Sequence, residues 1–171
     1  MGRTAEWVMV RLGPGMAVRE VLSDFGVEVL GEAAGWGLAR ARKRASADLA
    51  ARVASAIGQP AISGWIFDSD FAYVTGTGRD GYSFEALFGE PYPTNGDDGY
   101  QLGLERLSSP SGRRDSANAL STWSETSTPT RMTPETASRI LDATPVFVEE
   151  ALVALFEELG LHEINSLFDE L

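Results

Sequence analysis

The chain has 171 residues, no cysteine and one histidine, and its 25 acidic against 14 basic side chains give a formal net charge of −11. This length fits one domain, or one domain with a small appendage, and the 43% of apolar residues are enough to bury a core, which excludes wholesale disorder. Without cysteine, a disulfide or a thiolate metal site is excluded. No apolar run reaches the ~20 residues of a membrane span, and charged residues interrupt the N-terminal segment where a signal peptide would be apolar. We therefore expect a cytoplasmic protein.

The acidic charge is concentrated after residue 56. Residues 1–56 carry eight basic and six acidic groups, residues 57–112 carry two and eight, and residues 113–171 carry four and eleven. Nucleic-acid affinity comes mainly from Lys and Arg displacing counterions, and the one basic cluster, Arg40 to Arg44, is short. We therefore expect no nucleic acid or membrane partner, and a basic protein partner fits the charge better.

Strand and helix signals alternate in the first part of the chain. An apolar, β-branched run ends at Gly13-Pro14-Gly15, which predicts a strand and a turn. Apolar residues then recur at helical spacing as far as Gly26. The alanine-rich segment before Gly58 predicts a second helix with Ser46 as its cap. In chain order, the predicted elements are a strand at 6–12, a helix at 18–25, strands at 27–30 and 35–39, a helix at 46–57 and a strand at 61–67.

Two further strands are predicted next. The polar connection Asp68-Ser69-Asp70 separates the strand at 61–67 from one at 71–75, as in a hairpin, and Arg79-Asp80-Gly81 leads into another at 82–84. These elements predict the α+β class, with an antiparallel sheet packed with two helices, and the first six follow the split βαβ order of ferredoxin-like domains.

The last third of the sequence combines a polar segment with helix signals. Residues 108–133 are rich in Ser, Thr and Pro, which predicts a long polar loop or linker, with Trp123 either anchoring it or contacting a partner. Thr133-Pro134 and Thr144-Pro145 each predict a helix start, and an amphipathic stripe continues to Leu171. The predicted organisation is an α+β domain at 1–107, the linker, and C-terminal helices at 134–171 docked on that domain.

Short motifs give weak evidence for chemistry. The run from Gly76 to Gly81 satisfies G-x-G-x-x-G, but no long helix follows it, so a glycine-rich hairpin is favoured over a nucleotide site. Asp68 and Asp70 resemble the paired aspartates with which many glycosyltransferases hold a divalent metal and a nucleotide sugar, although turn-forming aspartates explain them nearly as well. His162 has no nucleophile or second histidine at a suitable spacing. We therefore predict no catalytic residue, no metal ligand and no cofactor.

Part of the chain resembles a known family. The run from Glu6 to Arg11, Gly35-Trp36, the aromatic hairpin from Ile62 to Tyr73, and the stretch from Asp80 to Phe88 are similar to an uncharacterised family of small acidic proteins from high-GC Gram-positive bacteria. The resemblance covers residues 5–95 and brings no established activity with it. The use of 13 Arg against one Lys suits a high-GC genome.

These observations favour a non-enzymatic, acidic protein-binding module. Its sharpest form is an immunity or inhibitor protein that occludes a basic partner such as a toxin, by analogy with other small acidic α+β proteins. The predicted contacts are carboxylates that pair with cations and tyrosines that supply buried area: Asp68, Asp70, Tyr73, Tyr92, Asp97, Asp98 and Tyr100. One alternative is a metal-dependent enzyme acting on a nucleotide or nucleotide sugar through Asp68 and Asp70. A second is an assembly protein that forms homo-oligomers through residues 146–171.

Overall fold

The structure, a computed structural model, describes residues 4–41, 48–91 and 98–171, and the side chains of residues 98–102 lie outside that description. The strands are β1 (Ala5–Arg11), β2 (Val27–Ala33), β3 (Trp36–Ala41), β4 (Ala61–Phe67), β5 (Phe71–Thr77) and β6 (Ser83–Gly89). The helices are α1 (Val18–Val21), α2 (Leu49–Ile57), α3 (Asp98–Ser108), α4 (Pro110–Ser127), α5 (Pro134–Leu141), α6 (Val148–Glu158) and α7 (Asn165–Phe168), with short 3₁₀ turns at Ser23–Phe25 and His162–Ile164. Residue 46, the predicted cap of α2, is outside the described residues.

The strands form one 6-stranded sheet in the order β2-β3-β1-β4-β5-β6. Every neighbouring pair is antiparallel. The first four strands, with α1 and α2 as crossovers, have the split βαβ arrangement, and β5 and β6 continue the sheet as a meander. The predicted α+β class, with its antiparallel sheet and C-terminal helical segment, is therefore confirmed.

Side chains on alternate strand positions supply two separate cores. In β1, Trp7 and Met9 join one buried cluster and Val8 and Val10 join another, because successive side chains point to opposite faces of a sheet. The Val8 side is covered by α1 and α2, while residues of α4 to α7 complete the Trp7 cluster. The sheet is thus the middle of three layers.

The segment predicted as a polar loop is helical. Residues 110–127 form α4, an 18-residue helix whose N-cap Ser109 accepts a hydrogen bond from the Gly112 N–H, with Pro110 in the first turn. Helix α4 packs against β6, and Trp123 lies in the core with its ring 5.0 Å from that of Phe84. The prediction of a loop was wrong because hydroxyls replace the large apolar residues of an ordinary helical stripe. Two of those hydroxyls are paired with main-chain groups of Met132, since Ser121 donates to its carbonyl and Ser124 accepts from its N–H.

Helix α6 also begins later than predicted. Thr144-Pro145 suggested a helix from that point, but the N-cap is Phe147 and the helix runs from Val148. Residues 144–147 therefore form an exposed connection after α5, with Pro145 half-buried. None of the helices in the described ranges has both the length and the apolar character that crossing a membrane requires.

Candidate functional site

The hairpin turn between β4 and β5 is a tight, left-handed bend. Asp68 and Ser69 have φ of 50° and 61°, and the Asp70 N–H donates to the Phe67 carbonyl over 3.0 Å. Aspartate tolerates this conformation better than most residues with a side chain, because its short polar group bonds locally. The Asp68 N–H is held by the hydroxyl of Thr4 at 3.2 Å. The turn therefore presents Asp68 and Asp70 to solvent while Ser69 is buried between them.

Buried Ser69 joins this turn to the start of α6. Its carbonyl accepts the Val148 N–H over 2.9 Å, which satisfies one of the N–H groups that a helix start leaves without an intrahelical partner. Its hydroxyl donates to Oε1 of Glu149 over 2.6 Å, a short charge-assisted bond. The other carboxylate oxygen, Oε2, is buried and has no hydrogen-bond partner among the described residues. Two segments about 80 residues apart in sequence are thus held side by side.

Two large apolar residues are exposed beside the turn. Val146 is 79% exposed and Phe147 is 54% exposed, and both directly precede Val148, the residue bonded to Ser69. Two adjacent large apolar side chains in solvent form a small exposed apolar patch, which makes this place a candidate contact surface. In the described part of the chain, the remaining large hydrophobic residues that are exposed are Met16 and Tyr82, at 37% and 41%.

Carboxylates border this apolar pair. Asp68 and Asp70 flank Ser69, which bonds to the start of α6 directly after Val146 and Phe147. Glu150 is exposed in the first turn of α6. Acidic groups in a first turn also interact favourably with the helix dipole. We call the set Asp68, Asp70, Val146, Phe147 and Glu150 the turn surface. Its composition, an aromatic and an aliphatic side chain bordered by acids, suits a cationic and partly apolar partner.

Tyr73 is not part of the turn surface. It packs with Trp65, Phe67, Phe71 and residues of α3 on the sheet face that also carries α2, and its hydroxyl donates to Glu85 over 3.0 Å. Glu85 pairs in turn with Arg106 of α3, beside an open cleft of about 410 Å³ over β5 and β6. Tyr73 is half-buried on the opposite sheet face from Val148, which belongs to the Trp7 cluster.

The remaining predicted contact residues give no geometry. Tyr92 and Asp97 lie outside the described residues. Asp98 and Tyr100 are in α3, but their side chains are outside the description. Val146 and Phe147 were not predicted from the sequence to be exposed beside this turn. The signal that could have identified them is the Pro145-Val146-Phe147 sequence, in which two large apolar residues follow a proline before the helical stripe begins.

Acid–base and metal chemistry have little geometric support. Among the described side chains, in residues 4–41, 48–91 and 103–171, no three His, Asp or Glu are placed to hold a metal ion. Asp68 and Asp70 flank Ser69 at an exposed hairpin tip. His162 is exposed at the start of a 3₁₀ turn.

The glycine-rich run is explained by packing. A Cβ on Gly76 would lie 2.2 Å from the Phe84 ring, so the glycine lets that ring cross the neighbouring strand. Gly78 and Gly81 close the turn, with the Gly81 N–H donating to the Gly78 carbonyl over 3.0 Å and φ of 83° at Gly81.

The apolar stripe of the C-terminal helices is used within the chain. Leu152, Leu155 and Phe156 of α6 lie in the same buried cluster as Trp7 of β1, and the Trp7 ring lies 5.7 Å from that of Phe156. Assembly through 146–171 would therefore depend on Val146 and Phe147, the large apolar residues of this segment that stay exposed.

Comparisons of the chain with protein-family models, with curated proteins and with solved structures found no match.

Proposed function

We propose that this protein is a non-enzymatic binding module whose turn surface engages a basic partner protein. In its sharpest form it is an inhibitor or immunity protein, acting in the cytoplasm, that occludes a toxin. The observation that carries the proposal is the exposure of Val146 and Phe147 directly beside the acidic turn. The hydrogen bonds of Ser69 to Val148 and Glu149 hold the two segments together.

The composition of the turn surface supports this kind of contact. Protein interfaces gain most of their affinity from a few buried anchors, frequently aromatic, while a polar rim gives specificity and speeds association. Phe147 is the anchor, and Asp68, Asp70 and Glu150 form the rim. A stable interface covers ~800 Å² on each partner, so the contact extends beyond these five residues onto the neighbouring surface.

The net charge supports a basic partner. With a formal charge of −11, the protein attracts cationic proteins at long range and repels anionic ones. Among the described residues, several carboxylates elsewhere are paired with arginines of the same chain, including Glu28, Glu85, Glu90, Glu125, Asp142 and Glu158.

The test is affinity capture from the native host with matched variants. Wild type is compared with Phe147→Ser and with Tyr82→Ser, which removes a different exposed aromatic residue of similar exposure. Capture is repeated at about 0.1 M and about 1 M salt, where the Debye length falls from ~10 to ~3 Å. We expect one basic protein that wild type and Tyr82→Ser retain at low salt, and that is lost with Phe147→Ser or at high salt.

A charge variant separates the rim from the anchor. Asp68→Asn keeps the left-handed φ, which asparagine tolerates, and removes one charge. Glu32→Gln removes one exposed charge from β2 and is the control. We expect Asp68→Asn to slow association and Glu32→Gln to leave it unchanged. A partner retained equally by wild type and Phe147→Ser would refute the proposed surface.

A further inference from the structure

A cleft of about 290 Å³ opens at the end of the sheet opposite the turn surface. The strand register places the cleft and the turn surface at opposite ends of β4. Ala61, at the start of β4, pairs with Val10 and Thr77 near the cleft, whereas the turn follows Phe67 at the other end of the strand. The cleft is lined by the last residue of β1, the loop after it, the connection from α2 to β4, the β5–β6 turn and the end of α4. Its volume is at the lower end of the ~300–1,000 Å³ of small-molecule sites.

Every polar side chain that lines this cleft can donate a hydrogen bond. Arg11 and Arg79 line it together with the amide of Gln59 and the hydroxyl of Thr126, and no Asp or Glu is among its described lining residues. The Gly13 N–H adds a donor, because its acceptor is the sulfur of Met16 at 3.3 Å, a weak partner. The lining of this cleft is therefore positively charged, whereas the chain as a whole, with 25 acidic and 14 basic residues, is negatively charged.

Neither guanidinium, of Arg11 or of Arg79, has an ion-pair partner among the described residues, since the ion pairs there involve other arginines. The carboxylate of Asp80, the residue after Arg79, accepts a hydrogen bond from the Tyr82 N–H over 3.0 Å, which stabilises the β5–β6 turn. Two like charges brought to one cleft repel each other unless an anion lies between them.

We infer that this cleft binds the phosphate group of a small ligand, either inorganic phosphate or a phosphate monoester. A phosphate carries a charge of −1.5 to −2 near neutral pH, which is close to the combined positive charge of two guanidiniums. A single carboxylate would offset only half of that positive charge. Arg11 and Arg79 would each donate to its oxygens, with Gln59, Thr126 and the Gly13 N–H as neutral donors. The cleft is wider than one phosphate, which leaves room for a small ester group.

The ends of two helices give the arginines a competing role. Both α2 and α4 end at this cleft, and the partial negative charge of a helix C-terminus attracts cations. If the arginines only offset those ends, their removal lowers thermal stability and the cleft has no affinity for phosphate. Binding and stability are therefore measured on the same variants.

The experiment is titration calorimetry of the full chain at pH 7.5 and constant ionic strength, with inorganic phosphate, phenyl phosphate and acetate as probes. The variants are Arg11→Gln and Arg79→Gln, with Arg19→Gln as control, since Arg19 is an exposed arginine of α1 outside the cleft. We expect phosphate to bind at least tenfold more tightly than acetate. Each cleft variant should weaken phosphate binding by at least tenfold, and the control should bind as wild type does.

The probes also separate the two sources of the phosphate group. Tighter binding of phenyl phosphate than of inorganic phosphate identifies a monoester ligand, and the reverse order identifies the free ion. The inference is overturned if phosphate gives no heat of binding at constant ionic strength, or if both arginine variants bind it as wild type does. It is also overturned if the variants lose only thermal stability and wild type shows no phosphate affinity.

Discussion

Replacing Ser69 by alanine tests the contact that holds the turn to α6. The hydroxyl of Ser69 bonds to Glu149 Oε1 at 2.6 Å, and hydrogen bonds to charged groups contribute ~1.5–3 kcal/mol. The main-chain bond from Val148 to the Ser69 carbonyl survives the substitution. Glu149 would then lose this donor to Oε1, while Oε2 already has none among the described residues. We expect Ser69→Ala to lower the free energy of unfolding by ~1.5–3 kcal/mol, a fall in Tm of about 3–12 °C.

Urea unfolding followed by tryptophan fluorescence measures this free energy, since the chain has four tryptophans. Ser108→Ala is the matched control, because its hydroxyl bonds only to the Glu105 carbonyl one helical turn away, and we expect a change within about 0.5 kcal/mol. Ser69→Gly should destabilise by ~1 kcal/mol less than Ser69→Ala, because glycine relieves the φ of 61°. A double-mutant cycle with Glu149→Gln should give a coupling of at least ~0.5 kcal/mol. Equal effects of Ser69→Ala and Ser108→Ala, or a coupling of zero, would refute this reasoning.

Three further predictions concern α4, and each is measured by urea unfolding. Gly112→Ala should destabilise by ~1–3 kcal/mol, because its Cβ would lie 1.9 Å from a carbonyl oxygen of α3, whereas Gly103→Ala meets nothing within 4 Å and should be neutral or stabilising. Arg113→Ala should lower the free energy of unfolding by ~2 kcal/mol or more, because the Arg113 side chain is 15% exposed and donates hydrogen bonds to the ends of α3, α5 and β6. Arg114→Ala, on the exposed side of α4, should change this free energy little. Trp123→Ala should destabilise by ~3–5 kcal/mol, since the side chain is 1% exposed in the core; a loss below 1 kcal/mol would contradict the packing of α4.

The sequence predicted the sheet well because its signals are local. Alternating apolar residues and the turns at Asp68-Ser69-Asp70 and Arg79-Asp80-Gly81 identify β4, β5 and β6 directly. The order of strands and helices was enough to predict the split βαβ arrangement of the first four strands, since connections in such units are short and their handedness is fixed.

Helix α4 could not be predicted from apolar periodicity. Its buried face includes Ser116, Ser121, Ser124 and Ser127, and serine at a buried helical position looks the same in sequence as serine in a loop. Only the structure shows where Met132 meets two of these hydroxyls. The local mark of the start of α4 is the Ser109-Pro110 pair, an N-cap followed by a proline in the first turn, which the prediction of a loop did not use.

The turn surface could be predicted only in part. Asp68 and Asp70 were identified from their position after an apolar strand. Phe147 was not, because Thr144-Pro145 predicted that the helix had already begun before it, whereas α6 starts at Val148, whose N–H donates to the Ser69 carbonyl. The contact of Val148 with Ser69 cannot be read from the local sequence, although Pro145-Val146-Phe147 is a local signal that the helix starts late.

Hydrogen exchange of the protein with and without a short amphipathic lysine–leucine peptide tests the proposed binding surface most directly. The peptide supplies the cationic and apolar groups that the turn surface is expected to bind. We predict slower exchange within 67–71 and 146–150 at about 0.1 M salt, little change in β2 or the β5–β6 turn, and loss of the effect in Phe147→Ser. Protection spread over β2 and the other acidic surfaces, or the same protection in Phe147→Ser, would contradict the assignment of the turn surface as the binding site.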